Sequence, residues 1–138
     1  NLINRLAASD PDAAVRWYGD ILTLTTKHSE EAALRESQAK AATNLIYHLA
    51  APDPDEAARW YGDIQALAGN NPEEKALLEH QSKAAFNLFL ACVKAGAMAG
   101  ARQMAQGIIR LAAENPGLPV CRDAAERLAP ILKSGEGK

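Results

Sequence analysis

Apolar residues recur along this chain at helical spacing. Trp17, Ile21 and Leu24, and again Trp60, Ile64 and Leu67, fall at i, i+4 and i+7, which sets each trio on one face of a helix. The stretches that follow them are longer. Residues 29–51 carry Leu34, Ala41, Ala42, Leu45, Ile46 and Leu49, and residues 72–95 carry Leu77, Ala84, Ala85, Leu88, Phe89 and Cys92. Each is expected to form a helix of about six turns. Leu2, Ile3 and Leu6 fit the end of one more helix at 1–8.

Polar residues mark where these helices start. Asp10 stands as an N-cap before Pro11, with Asp12 in the first turn. Asp53, Pro54 and Asp55 repeat the signal, and Glu56 completes a capping box. Asn71, Pro72, Glu73 and Glu74 read as a third start of the same kind. The connections are only a few residues long, so neighbouring helices are expected to run antiparallel. No stretch alternates apolar and polar residues as a strand would.

The pattern is a duplication. The run from Asp10 to Ile21 returns as Asp53 to Ile64, 43 residues later, and residues 1–50 laid on 44–93 without a gap give 28 identities. A decayed third copy follows at a spacing of 44: Pro116 matches Pro72, Ile108 matches Ile64, Leu111 matches Leu67 and Met104 matches Trp60. Periods of this length belong to solenoids, whose units bury their apolar faces only by stacking. The expected architecture is an all-α solenoid of antiparallel helical hairpins. Residues 1–133 form it: the end of a truncated unit at 1–28, units at 29–71 and 72–116, and a closing helix at 117–133 before a flexible tail at 134–138. Asn1–Ala8 matches Asn44–Ala51, the close of a unit, so the first unit is expected to be cut from a longer array.

Composition narrows the functional classes. A chain of 138 residues, 48% of them hydrophobic, suits one domain. A net charge of −2 offers no general field for nucleic acid, and no run is long and apolar enough for a membrane span. Cys92 and Cys121 sit in alanine-rich helical contexts and read as small buried groups in a reducing, cytoplasmic setting. His28, His48 and His80 occupy unmatched positions and lack metal-ligand spacing. No cofactor, metal or catalytic residue is expected, and the chain reads as non-enzymatic.

Residues 84–116 hold the Asn87-Leu88 pair, a glycine at Gly96, a small residue at Ala101 and Pro116 after the second helix. This order resembles a tetratricopeptide repeat, and Asn44-Leu45 followed by Ala57 and Ala58 repeats the likeness. The run Ala57–Tyr61 is also similar to Sel1-like repeats. The period of 43–44 exceeds the about 34 residues usual there, and bulky Ile46 and Phe89 stand where that family keeps a small residue, so the first helix of each hairpin is longer. The resemblance implies a protein-protein interaction scaffold whose concave groove holds a partner peptide.

Lys40 and Asn44 recur as Lys83 and Asn87, four residues apart and so on one face, and Arg127 falls where a third lysine would. In chaperone-binding members of the family such positions clamp a C-terminal carboxylate. The resemblance thus implies a ladder of Asn1, Lys40, Asn44, Lys83, Asn87 and Arg127 facing an acidic peptide end, with Thr43, Tyr47, Phe86 and Leu90 supplying apolar contact. A plainer reading pairs Glu36 with Lys40, Glu79 with Lys83, Asp12 with Arg16 and Asp55 with Arg59 inside their own helices. Trp17, Ile21, Leu45, Trp60, Ile64 and Leu88 are expected to form the repeated core, with Gly19 and Gly62 admitting a close helix beside each indole. The alternatives to a scaffold are a regulatory arm of a larger enzyme and a self-association module that stacks through truncated repeat ends.

Overall fold

The computed structural model describes residue 5 and residues 9–28, 30–50 and 54–136, with side chains described except at 129 and 132–136. Among these residues there are α-helices and turns and no strand. The helices are α1 (Pro11–Lys27), α2 (Ala32–Leu49), α3 (Pro54–Asn70), α4 (Lys75–Lys94), α5 (Met98–Glu114) and α6 (Pro119–Glu136). Each packs on the next in the chain, and α2, α4 and α6 also pack side by side. The chain is therefore all-helical, with α4 central and in contact with α2, α3, α5 and α6.

Local chemistry explains the boundaries. Asp10 caps α1, its carboxylate accepting from the Ala13 amide at 3.2 Å, with Pro11 in the first turn. The corresponding cap at Asp53 lies outside the described residues. Asn71 does not open α4, as its sequence context suggested. Its side-chain amide donates to the Leu67 carbonyl at 2.9 Å, closing α3, and Asn115 does the same for Leu111 in α5 at 2.9 Å. A helix end leaves carbonyls without amide partners, so an amide side chain just past it has an acceptor ready. The α4 cap residue is Glu74, and its carboxylate pairs with Arg35 of α2 instead of with its own helix. The short turns match: the amides of Glu31, Glu74 and Leu118 donate to the carbonyls of His28, Asn71 and Asn115, each at 3.0 Å.

Between α4 and α5 the chain reverses through Gly96 at φ +78. The Gly96 amide donates to Val93 at 3.1 Å and the Ala97 amide to Cys92 at 2.8 Å, the paired bonds of a Schellman ending that needs a left-handed residue between them. At the other end α6 runs to Glu136, past the point where a flexible tail was expected at 134.

The core joins all six helices. Leu45, Ile46, Ile64, Phe89 and Ile108 are fully buried, with Trp60, Leu88 and Leu128 nearly so, and Ile21 is half-buried against the same cluster. Trp17 departs from expectation: it is 43% exposed, against 4% for Trp60. Trp60 lines a pocket together with Val15 and Arg16 of α1 and Leu49 of α2. The tyrosines next door are both buried, Tyr18 at 3% and Tyr61 at 8%. The glycine expectation is also corrected. A Cβ placed at Gly19 or Gly62 would meet nothing within 4 Å, so neither admits a close neighbour. Among the described residues no helix is long and apolar enough to cross a membrane.

Candidate functional site

The row of α2, α4 and α6 carries a groove of about 420 Å³. Thr43, Asn44 and Tyr47 of α2 form one wall, Lys83, Phe86 and Asn87 of α4 the floor, and Val120, Asp123, Ala124 and Arg127 of α6 the other wall. Helical spacing produces this set. Residues three and four apart lie above one another, so 43, 44 and 47, then 83, 86 and 87, then 120, 123, 124 and 127 form parallel stripes on three packed helices.

Asn44, Tyr47, Lys83, Asn87 and Arg127 thus share one groove. Lys40 is exposed one turn before Asn44 and does not line it, and neither does Leu90, which is 40% exposed. Asn1 lies outside the described residues. Val120, Asp123 and Ala124 were not among the residues expected to line the groove. The signal was present, since Asp123 and Arg127 repeat the four-residue spacing of Glu79 and Lys83 at the spacing of the third copy.

Few of the groove's polar groups are paired within the protein. Among the described residues neither Lys40 nor Lys83 forms an ion pair, so the pairings expected with Glu36 and Glu79 do not form. Arg59 pairs with Glu56 at 2.6 Å and not with Asp55. The Asn44 Nδ2 is buried and has no hydrogen-bond partner among the described residues. The Thr43 hydroxyl is spent internally, donating to Ala39 at 2.8 Å and to the His80 carbonyl at 3.4 Å. Arg127 stands with its guanidinium carbon 5.5 Å from the centre of the Phe86 ring, a cation–π contact that holds the cation over the floor. Tyr47 is 69% exposed and forms the rim.

His80, one turn before Lys83 on α4, is half-buried. Burial pushes its pKa below the ordinary histidine value, and Lys83 pushes it the same way, against the opposing pull of Glu36 and Glu79. The ring is therefore neutral near pH 7 and leaves Lys83 and Arg127 as the groove's cations, facing the single carboxylate of Asp123. Burial raises the thiol pKa of both Cys92 and Cys121, which are free. At the first turn His28, Glu30 and Glu31 bring their ligand atoms within 4.8 Å of one another, all exposed. An exposed acidic turn of this kind carries no functional assignment. Comparison with family models, with curated proteins and with solved structures gave no match.

Proposed function

We propose that the chain is a tetratricopeptide-like solenoid, with a period of 43–44 residues, that acts as a non-enzymatic scaffold by holding a partner polypeptide in the groove across α2, α4 and α6. The observation that carries this reading is the groove's lining: it draws together Asn44, Tyr47, Lys83, Asn87 and Arg127 from three helices. The starts of α1, α3 and α5, at 11, 54 and 98, and of α2, α4 and α6, at 32, 75 and 119, support the repeat.

The chemistry selects an acidic or C-terminal segment. Lys83 and Arg127 against the one carboxylate of Asp123 leave the groove with a net positive charge, the Asn44 amide offers a donor already desolvated, and Phe86 with Tyr47 offers ring surface for an apolar side chain. Charge-assisted hydrogen bonds to a carboxylate are the strong ones available to such a set. A bound carboxylate would satisfy the buried Asn44 donor, which otherwise costs about 1–3 kcal/mol as an unpaired group.

Selection from a displayed library of peptides with free C-termini tests this, followed by calorimetry on the best binder. The Lys83→Ala and Arg127→Ala proteins should each bind about tenfold or more weakly, and Lys40→Ala, outside the groove, within about twofold of the parent. The scaffold reading fails in this groove if both groove variants bind as the parent does while remaining folded by circular dichroism.

A further inference from the structure

Tyr18 and Tyr61 hold the same place in successive short helices, and what they face differs. The Tyr18 hydroxyl donates to Asp63 Oδ2 in the following short helix, α3, at 2.7 Å. Tyr61 faces the next short helix, α5, lining one cavity with it. There the residue matching Asp63 is Gly107, and the residue matching Trp60 is Met104. Ile64 and Ile108, one position further on and both fully buried, fix this correspondence. The wall of α5 has thus lost a carboxylate and exchanged an indole for a thioether.

A cavity of about 570 Å³ lies at this place, lined by Tyr61 and Gln65 of α3, Leu88 of α4, and Gln106, Gly107 and Arg110 of α5, among others. A Cβ built at Gly107 meets nothing within 4 Å, so the space that a side chain would fill is open. Burial holds the Tyr61 phenol above its ordinary pKa. It is therefore a neutral O–H near pH 7 and can donate, as Tyr18 does. Arg110 adds a charge that does not titrate, and the amides of Gln65, Gln103 and Gln106 add polar lining beside Leu88 and Met104.

We propose that this cavity binds a carboxylate group, which takes the place beside the Tyr61 hydroxyl that Asp63 takes beside Tyr18. The volume is that of a small-molecule site, so a free small acid is the source that fits, the other being an acidic side chain of a partner.

The test is titration of the ¹⁵N-labelled full chain with glutarate, followed by amide shifts. Saturable shifts of the Gly107 amide and the Gln65 and Gln106 side-chain amides are expected, with glutaramide at least tenfold weaker. Tyr61→Phe should weaken glutarate about tenfold. Gly107→Asp supplies the carboxylate from the chain itself, so it should abolish glutarate binding and raise the melting temperature. N-acetylglutamate N-methylamide presents the same group on a peptide frame: weaker binding than glutarate supports a free acid, and tighter binding moves the source to a partner's side chain. Absence of saturable shifts at these amides, or equal glutarate affinity in the parent, Tyr61→Phe and Gly107→Asp proteins, overturns the proposal.

Discussion

A phenol buried beside a carboxylate is held in its protonated form, because ionising it would place two negative charges in a space with little water. Tyr18 is in this position: burial raises its pKa most, and the hydrogen bond to Asp63 adds to that. The stability this contributes is complete below about pH 10, the unfolded tyrosine value, and is lost as the pH rises above it, since the unfolded chain then releases a proton that the folded chain keeps. Urea unfolding at pH 7, 9 and 10.5 should show a small fall between the first two, from the raised Cys92 and Cys121 thiols, and a steeper fall at the third as tyrosine joins them. Tyr18→Phe should cost about 1–2 kcal/mol at pH 7 and fall less steeply above pH 10, Tyr61 and the thiols supplying the remaining slope. At this scale the sequence was legible in part. Residues 17 and 60 are identical in letter and in local context, yet one indole is exposed and the other buried. Recurrence identifies equivalent positions; burial depends on what packs against each, and that differs between α1 and α3.

Helix boundaries were more legible, because capping chemistry is local. Asp10 and Pro11 start α1 where their side chains and ring dictate, and Met98–Glu114 follows from the spacing of the third copy. Asn71 was misread because an amide can serve either terminus, and only the position of the last α3 carbonyl decides between them. Glycines carry the same ambiguity, and two of them make opposite predictions. Gly62 lies inside α3 at helical dihedrals with open space where a Cβ would stand, so Gly62→Ala should stabilise by about 0.5–1 kcal/mol through reduced backbone freedom in the unfolded chain. Gly96 sits at φ +78 between α4 and α5, where a side chain strains the backbone, so Gly96→Ala should destabilise by about 1 kcal/mol. Thermal melts of the two single variants would move in opposite directions. Equal shifts would mean that one of these backbone assignments is wrong.

At the scale of the molecule, packing is a matter of neighbours. Helix α4 touches α2, α3, α5 and α6, while α1 packs on α2 and meets α3 through the Tyr18–Asp63 hydrogen bond, and α6 touches α4 and α5. The groove was largely legible for the same reason that it forms: a helix face is fixed by spacing alone, so Asn44, Lys83 and Asn87 could be aligned before their helices were placed. On the α6 wall only Arg127 was, because its other residues follow the repeat in spacing but hardly in letter. In the repeat stack proposed above, a helix with few neighbours would open more readily than one packed on four. Native-state hydrogen exchange should therefore find the slowest amides in α4 around Ala84–Phe89 and markedly faster ones in α1 and α6. An acidic peptide filling the groove touches α6 and not α1, so it should slow exchange in α6 while leaving α1 unchanged. Equal protection of α1 and α4 in the free chain would show a single cooperative unit instead of a stack, and equal slowing of α1 and α6 by the peptide would place its binding somewhere other than the groove.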